Sequence, residues 1–335
     1  NETLEIRKGF ISKIREVYKT LMSENKTAVK GLVSDNQLKS EFKILNKETF
    51  NWTNKLTFIR YSVPNNILVV FLENKTVQFI DTKSLLIIHE TRSIGINGEL
   101  LEVRVTGDRN RLDLVIVSDK EYLISEFEIG KKLFRVLVRS SLKDFQVEPN
   151  AVIHPSNKYL VYFRGSDMFI HILSSKSTLV YSFDDQISDI DCHKDGKLVI
   201  LAFRNQSVLS FFDLIEDKVM AKFSDSSIEN VQRVEFFNNK FNFGIWTVDS
   251  LYLVDIRSMK VCKTLESKVS SLNFNPQGNA YVIPSKKALE IFSSRSHEEV
   301  SRMYFDEFPD TLIRSTIFVN SENYLIVSID NSITW

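Results

Sequence analysis

The chain has 335 residues, with Lys plus Arg and Asp plus Glu both at 43, so its formal net charge is zero. Without an excess of positive charge it has no long-range pull toward a phosphate backbone, and direct nucleic-acid binding is not expected. The longest apolar runs hold about six residues, far short of the roughly 20 that cross a bilayer, so no membrane segment is expected either.

Only 10 glycines are present, less than half of average usage, and Asn, Asp, Ser and Lys fill the turn positions instead. The two cysteines, Cys192 and Cys262, are too few and too far apart for a disulfide framework and read as buried thiols in a reducing compartment. Asn-x-Ser/Thr triplets begin at Asn1, Asn25, Asn51, Asn74 and Asn205. In so Asn-rich a chain they read as unmodified residues. The first residue, Asn1 rather than Met, suggests a piece of a longer protein.

In chain order, Ile6, Phe10, Ile14, Val17 and Leu21 form one apolar stripe at steps of three and four. This predicts an amphipathic helix over Thr3 to Met22. Residues 23–37 are polar and turn-rich, and read as a linker. Ser40 to Leu45, SEFKIL, is strand-like but belongs to no complete unit.

From there the chain repeats itself. An apolar run ending in a short polar turn begins at Ile67, Leu112, Lys158, Lys197, Phe241, Asn279 and Asn323, so successive starts differ by 38 to 46 residues. The clearest copy runs from Ile187 to Asp225: ISDIDCHKDG, KLVILAFR, SVLSFFDL and KVMAKFSD. β-branched and aromatic residues fill its four runs, and Asp-Gly, Asn-Gln and Glu-Asp fill its turns. Four strands per unit at this period is the pattern of an all-β, seven-bladed β-propeller of the WD-repeat type.

The expected blades are Leu56 to Thr91, Leu100 to Ser141, Asn150 to Asp185, Ile187 to Asp225, Val231 to Ser267, Val269 to Phe308 and Ile313 to Trp335. The last has three strands, so Ser40 to Leu45 is expected to supply its fourth and close the ring, leaving no unpaired edge there. The organisation is thus a helix and linker over 1–39 and a propeller over 40–335. The runs are apolar at most positions, as in sheets packed on both faces. HPSN at 154, KDG at 194, NPQG at 275 and NSEN at 320 recur between first and second strands, supplying residues that tolerate positive φ.

In WD repeats the third strand ends in Trp-Asp. Here Ile80-Asp81, Phe212-Asp213 and Val254-Asp255 keep the Asp, while the second, third and sixth units lack it and no Gly-His dipeptide occurs. The blades are therefore expected to depend more on packing than on the usual Asp, His, Ser and Trp network. The order of features resembles the propeller of the pre-mRNA-processing factor nineteen family, the U-box ubiquitin ligases of the spliceosomal Nineteen complex, in its divergent fungal form. The residues that carry the resemblance are NILVVFLENKTVQFIDTKS in the first blade and AVIHPSNKYLVYFRGSDMFIHILSS in the third. WTVDSLYLVDIRSMKVCKTLE and VSSLNFNPQGNAYVI in the fifth and sixth blades add to it.

That resemblance implies a nuclear, non-catalytic, partner- and substrate-binding end of a ligase acting in pre-mRNA splicing. Its partners would be Nineteen complex components and ubiquitination substrates. The U-box and the tetramerising coiled coil of the family have no counterpart in this sequence, so the homotetramer belongs to a segment outside it.

No cofactor or metal is expected. His89, His154, His171, His193 and His297 show no ligand spacing, and no nucleophile elbow, phosphate loop or paired-carboxylate motif occurs. Phe163-Arg164-Gly165 resembles part of the Phe-Arg-Arg-Gly loop of phosphoinositide-binding propellers but lacks its second Arg, leaving a lipid-binding propeller or another WD-repeat scaffold as the alternatives. Propellers commonly dock partners on the face carrying the second-to-third and fourth-to-first strand loops, where side chains are free of blade packing. On that face the candidates are Lys75, Lys120, Arg164, Arg204, Asp249, Lys286 and Lys287. A merely solvated rim is the competing reading for each, because a lone exposed charge contributes little.

Overall fold

The structure is a computed structural model that describes residues 54–62, 64–84, 86–141, 151–204, 206–237, 239, 241–266, 269, 271–275, 278–285 and 288–304, and the backbone of 49–51, 313–318, 325–329 and 332–334. All described regular structure is β-strand. The helix expected over Thr3 to Met22 and the strand over Ser40 to Leu45 lie outside the described residues.

The strands fall into two compact units. The first unit begins with β1 (Thr49–Asn51). Its first blade is β2 (Leu56–Ser62), β3 (Ile67–Leu72), β4 (Val77–Asp81) and β5 (Leu86–Thr91). The second is β6 (Leu100–Gly107), β7 (Arg111–Ser118), β8 (Glu121–Glu128) and β9 (Leu133–Ser141). The third is β10 (Val152–Ile153), β11 (Tyr159–Arg164), β12 (Asp167–Ile172) and β13 (Ser177–Ser182).

The other unit holds three more blades. They are β14 (Ile187–Cys192), β15 (Leu198–Phe203), β16 (Val208–Asp213) and β17 (Lys218–Ser224); β18 (Arg233–Phe236), β19 (Asn242–Trp246), β20 (Ser250–Asp255) and β21 (Lys260–Glu266); and β22 (Asn273–Phe274), β23 (Ala280–Pro284), β24 (Ala288–Ser293) and β25 (Glu299–Tyr304). Each of the six is an antiparallel meander paired in sequence order, and its strands fall within the limits expected from the repeats. In the first unit β26 (Ile313–Phe318), β27 (Leu325–Ile329) and β28 (Ser332–Thr334) pair with β1 in the order β1-β28-β27-β26.

The strand that joins β28 among the described residues is thus Thr49–Asn51, in the register Thr49↔Thr334, Phe50↔Ile333 and Asn51↔Ser332, and not Ser40 to Leu45. Three residues carry too little alternation to register as a strand in sequence, whereas SEFKIL carries a full apolar period.

Most second-strand residues are buried whichever way they point, β3 throughout, and within a unit the faces turned toward a neighbouring blade pack against it. The core lies between sheets. Val69, Phe71 and Phe79 of the first blade meet Leu114, Ile116 and Phe127 of the second, with the Phe79 and Phe127 rings stacked at 3.9 Å. Tyr122 and Val117 then pack with Ile153, Leu160 and Tyr162. In the other unit Ile200, Phe211 and Phe223 meet Val234, Phe243 and Ile245, and Trp246 and Leu253 meet Phe274 and Tyr281. Gly244 is required at its place, since a Cβ there would lie 2.5 Å from Trp246 Cζ3 and 2.7 Å from Phe237 Cζ.

Turn chemistry repeats with the strands. Between first and second strands, Asn157 N–H donates to His154 O, Gly196 N–H to His193 O and Gly278 N–H to Asn275 O. Asn157, Gly196 and Gly278 all hold positive φ, as the residue types predict. After the third strand, Asp81 Oδ1 accepts from the N–H of Lys83 and Ser84. Asp213 Oδ1 does the same for Ile215 and Glu216, and Asp255 Oδ1 for Arg257 and Ser258. In the sixth blade, which lacks the Asp, Ser293 Oγ takes the N–H of Arg295 and Ser296. The aspartates of the degenerate repeat therefore keep a local role as turn caps.

The expectation of two buried thiols is corrected at one of them. Cys192 is buried, whereas Cys262 is exposed. Cys262 sits on β21, an outer strand whose residues alternate between exposed and half-buried, so only one side of it meets the protein.

Candidate interaction surface

The second-to-third strand turns are short because their strands are tightly paired, and each presents its central side chains at the end of its sheet. In the first unit these turns carry Lys75 and Lys120, with Arg164 as the last residue of β11 before its turn; in the other they carry Arg204 and Asp249. Lys120, Arg164, Arg204 and Asp249 are exposed. Lys286 and Lys287 lie outside the described residues.

Lys75 differs from the others. It is half-buried, holds φ 64°, and its Nζ donates to Ile96 O at 2.7 Å. Its own carbonyl accepts from Ile94 N–H, so it ties the turn to the segment entering the second blade. Its charge is thus anchored, whereas Lys120 and Arg164 are exposed.

Beside Lys120 stands a residue the sequence reading passed over. Glu121 is buried, with 6% of its surface exposed. It accepts from Asn97 N–H at 2.7 Å and Asn97 Nδ2 at 3.1 Å, and pairs with Arg139 at 3.5 Å. It fixes the segment entering the second blade against that blade's turn, so the neighbouring exposed charge stands on a rigid base. An acidic residue opening a strand directly after a turn was the only sequence signal.

Inner strands of adjacent blades are clasped by polar side chains that were also missed. Arg60 on β2 donates through Nε to Val103 O at 2.6 Å and pairs with Glu102 at 2.8 Å. Arg104 on β6 reaches Ile153 O at 3.2 Å. In the other unit Asp189 and Asp191 on β14 accept the N–H of Val234 at 2.7 Å and Phe236 at 2.6 Å on β18.

These bonds do not fully compensate the two carboxylates for losing water. Burial is the largest influence on Asp189 and outweighs the hydrogen bonds from Val234 and Ile190 and the charge of Arg233, raising its pKa to about 6. Burial likewise holds Asp191 well above the ordinary carboxylate range, with Glu235 adding repulsion. Asp195 goes the other way: burial opposes ionisation, but the hydrogen bond and charge of His193 prevail and lower it. Raised carboxyls can mark catalytic acids, but here both oxygens face backbone N–H groups inside a blade interface, which is a structural use.

The histidines are distributed through the packing. His154 and His193 open equivalent turns and bond Ser156 at 2.8 Å and Asp195 at 2.7 Å. His171 bonds Thr178 at 2.9 Å, and His89 bonds Thr91 at 3.0 Å. Among the described residues no group of three or more His, Cys, Asp or Glu could hold a metal ion, and no helix is long and apolar enough to cross a membrane.

No described protein family matches the sequence, and no curated protein is similar to it. Solved structures do match, 1608 chains in all, a number that marks a widely reused architecture and not a function. One of them is the crystal structure of Raptor from Chaetomium thermophilum, at 13% identity and a TM-score of 0.66, covering 85% of this chain and 28% of that one. The chain thus spans little more than a quarter of that protein's length. At such low identity the likeness speaks to the fold alone: the chain is a WD-repeat-like β-propeller with six blades among its described residues.

Proposed function

We propose that this chain is a non-catalytic protein-interaction propeller, the partner-binding domain of a spliceosomal U-box ubiquitin ligase of the pre-mRNA-processing factor nineteen type. The observation that carries the scaffold reading is the division of labour within each blade. The faces of the inner strands are spent on packing, while Lys120, Arg164, Arg204 and Asp249 stand exposed where second and third strands join. Exposed turn charges on a rigid frame contribute little to folding, yet they steer and orient protein association.

The finer assignment rests on the first, third, fifth and sixth blade segments that resemble that family. With it come a nuclear location, Nineteen complex components and ubiquitination substrates as partners, and a ligase reaction carried out by a U-box elsewhere in the full-length protein. On this reading the sheet β1-β28-β27-β26 is a seventh blade that seals the ring, and the helix over Thr3 to Met22 leads into it.

The test is capture from nuclear extract on the immobilised chain, with mass spectrometry of what is retained. Spliceosomal Nineteen components are expected. Recovery of unrelated proteins in their place removes the splicing assignment and leaves the scaffold. Flotation with phosphoinositide liposomes, abolished by Arg164→Ala, would replace both with a lipid-binding propeller.

A further inference from the structure

An outer strand presents one row of unpaired backbone groups, and proteins blunt such edges with bulges and charges. In the six blades built of four consecutive strands, five of the outer strands follow that rule. Their ladders skip one residue at the same place: Ile88 on β5, Leu137 on β9, Met220 on β17, Cys262 on β21 and Val300 on β25. Each also carries charge, for instance Glu90, Arg135, Lys222, Lys263 and Arg302.

The third blade does not follow it. β13 pairs with β12 without interruption, from Asp167↔Ser182 to Ile172↔Ser177. Its sequence, STLVYS, contains no charge. Leu179 and Val180 are 49% and 52% exposed. Phe183 N–H donates to Ser166 O, so by the alternation of an antiparallel ladder the odd-numbered residues bond inward. Thr178, Val180 and Ser182 then direct their N–H and C=O groups away from the sheet.

The charges flanking this strand specify what fits it. Lys176 and Asp184 are both exposed and stand the same distance in sequence on either side of Val180. An antiparallel strand centred on Val180 must bring an acidic residue to Lys176 and a basic one to Asp184. A second copy of β13, turned by a two-fold axis through Val180, brings both.

We propose that β13 is a self-pairing edge that joins two copies of this chain into one continuous antiparallel sheet. Val180 faces Val180 of the second copy as a hydrogen-bonded pair, and Thr178 faces Ser182. Leu179 meets Tyr181 of the second copy, an aliphatic–aromatic cross-strand pair of the favourable kind. Lys176 lies against Asp184 of the second copy and fixes the register. A strand edge buries less than a standard interface, so the dimer is concentration-dependent.

Sedimentation velocity of the 335-residue chain at low salt tests this. Over about 1 to 100 μM, the affinity range of small interfaces, monomer should give way to dimer. Val180→Lys should keep the chain monomeric with an unchanged melting curve. Lys176→Asp and Asp184→Lys should each weaken dimerisation about tenfold by opposing like charges, and the double variant should regain it. A chain that stays monomeric at the highest concentration overturns the proposal, as does a dimer that survives Val180→Lys. A double variant no better than the singles overturns it too, and so does a β13 edge that pairs only with a strand of another protein.

Discussion

Asp189 and Asp191 are bound by backbone N–H groups yet remain poorly compensated for burial, so neutralising one of them should stabilise the protein near neutral pH. The Asp189 carboxyl titrates near 6 in the fold against 3.8 ordinarily. Two or so units at about 1.36 kcal/mol each make its ionised form cost about 3 kcal/mol. Below pH 3.8 the group is protonated in both folded and unfolded chains and costs nothing. As pH rises to about 6 the unfolded chain ionises first, so this group's share of stability is lost across that window, and the cost is complete above it. Asp189→Asn mimics the protonated acid and keeps an oxygen for Val234 N–H. In urea denaturation followed by tryptophan fluorescence, the variant should gain up to about 3 kcal/mol at pH 7.5 and match the parent at about pH 3. A variant less stable at pH 7.5, or one with the same gain at both pH values, would refute the reasoning.

Other perturbations read different parts of the frame. Gly244→Ala would drive a methyl into the Trp246 and Phe237 rings and should cost about 1–3 kcal/mol, seen as a lower urea midpoint and altered Trp emission. Asp255→Ala removes the acceptor for Arg257 and Ser258 N–H and should cost about 1 kcal/mol, whereas Asp255→Asn should cost less because an amide oxygen still accepts. Burial opposes the ionisation of Asp255, but Arg257 prevails and its pKa is lowered; this cap therefore holds above the ordinary carboxylate range and weakens as pH falls through the depressed value. Deleting residues 1–46 spares Thr49–Asn51 and should leave the melting temperature of the β1-β28-β27-β26 sheet intact. Deleting 1–53 exposes the edge of β28 and should lower melting and promote aggregation.

The period of the fold was legible because second strands, buried on both faces, become unbroken apolar runs such as ILVVFL and KLVILAF, and the turns after first strands need residues that accept positive φ. Outer strands were legible in extent but not in detail. The bulges at Ile88 and Met220 and the exposure of Cys262 arise from how an edge turns in space, which alternation along one strand does not encode. The clasp by Asp189 and Asp191 pairs residues some 45 positions from their partners, so the sequence showed two acids on a strand without what satisfies them. Ser293 standing in for an aspartate cap was hidden because the family's pattern names only the acid. For the candidate surface, the described second-to-third strand turns fall where the repeats put them, but the sequence could not distinguish Lys75, whose ammonium is bound to Ile96 O, from the exposed Lys120 and Arg164.

The central claim is that exposed turn charges, and not the N-terminal segment, bring other proteins to this propeller. Its most direct test is quantitative capture from extract by a variant with Arg164, Arg204 and Lys286 all reversed to Glu, run beside Phe10→Asp in the expected N-terminal helix. The account predicts loss of specific capture by the triple variant with an unchanged melting curve, and normal capture by Phe10→Asp. Normal capture by the triple variant together with loss in Phe10→Asp would contradict it.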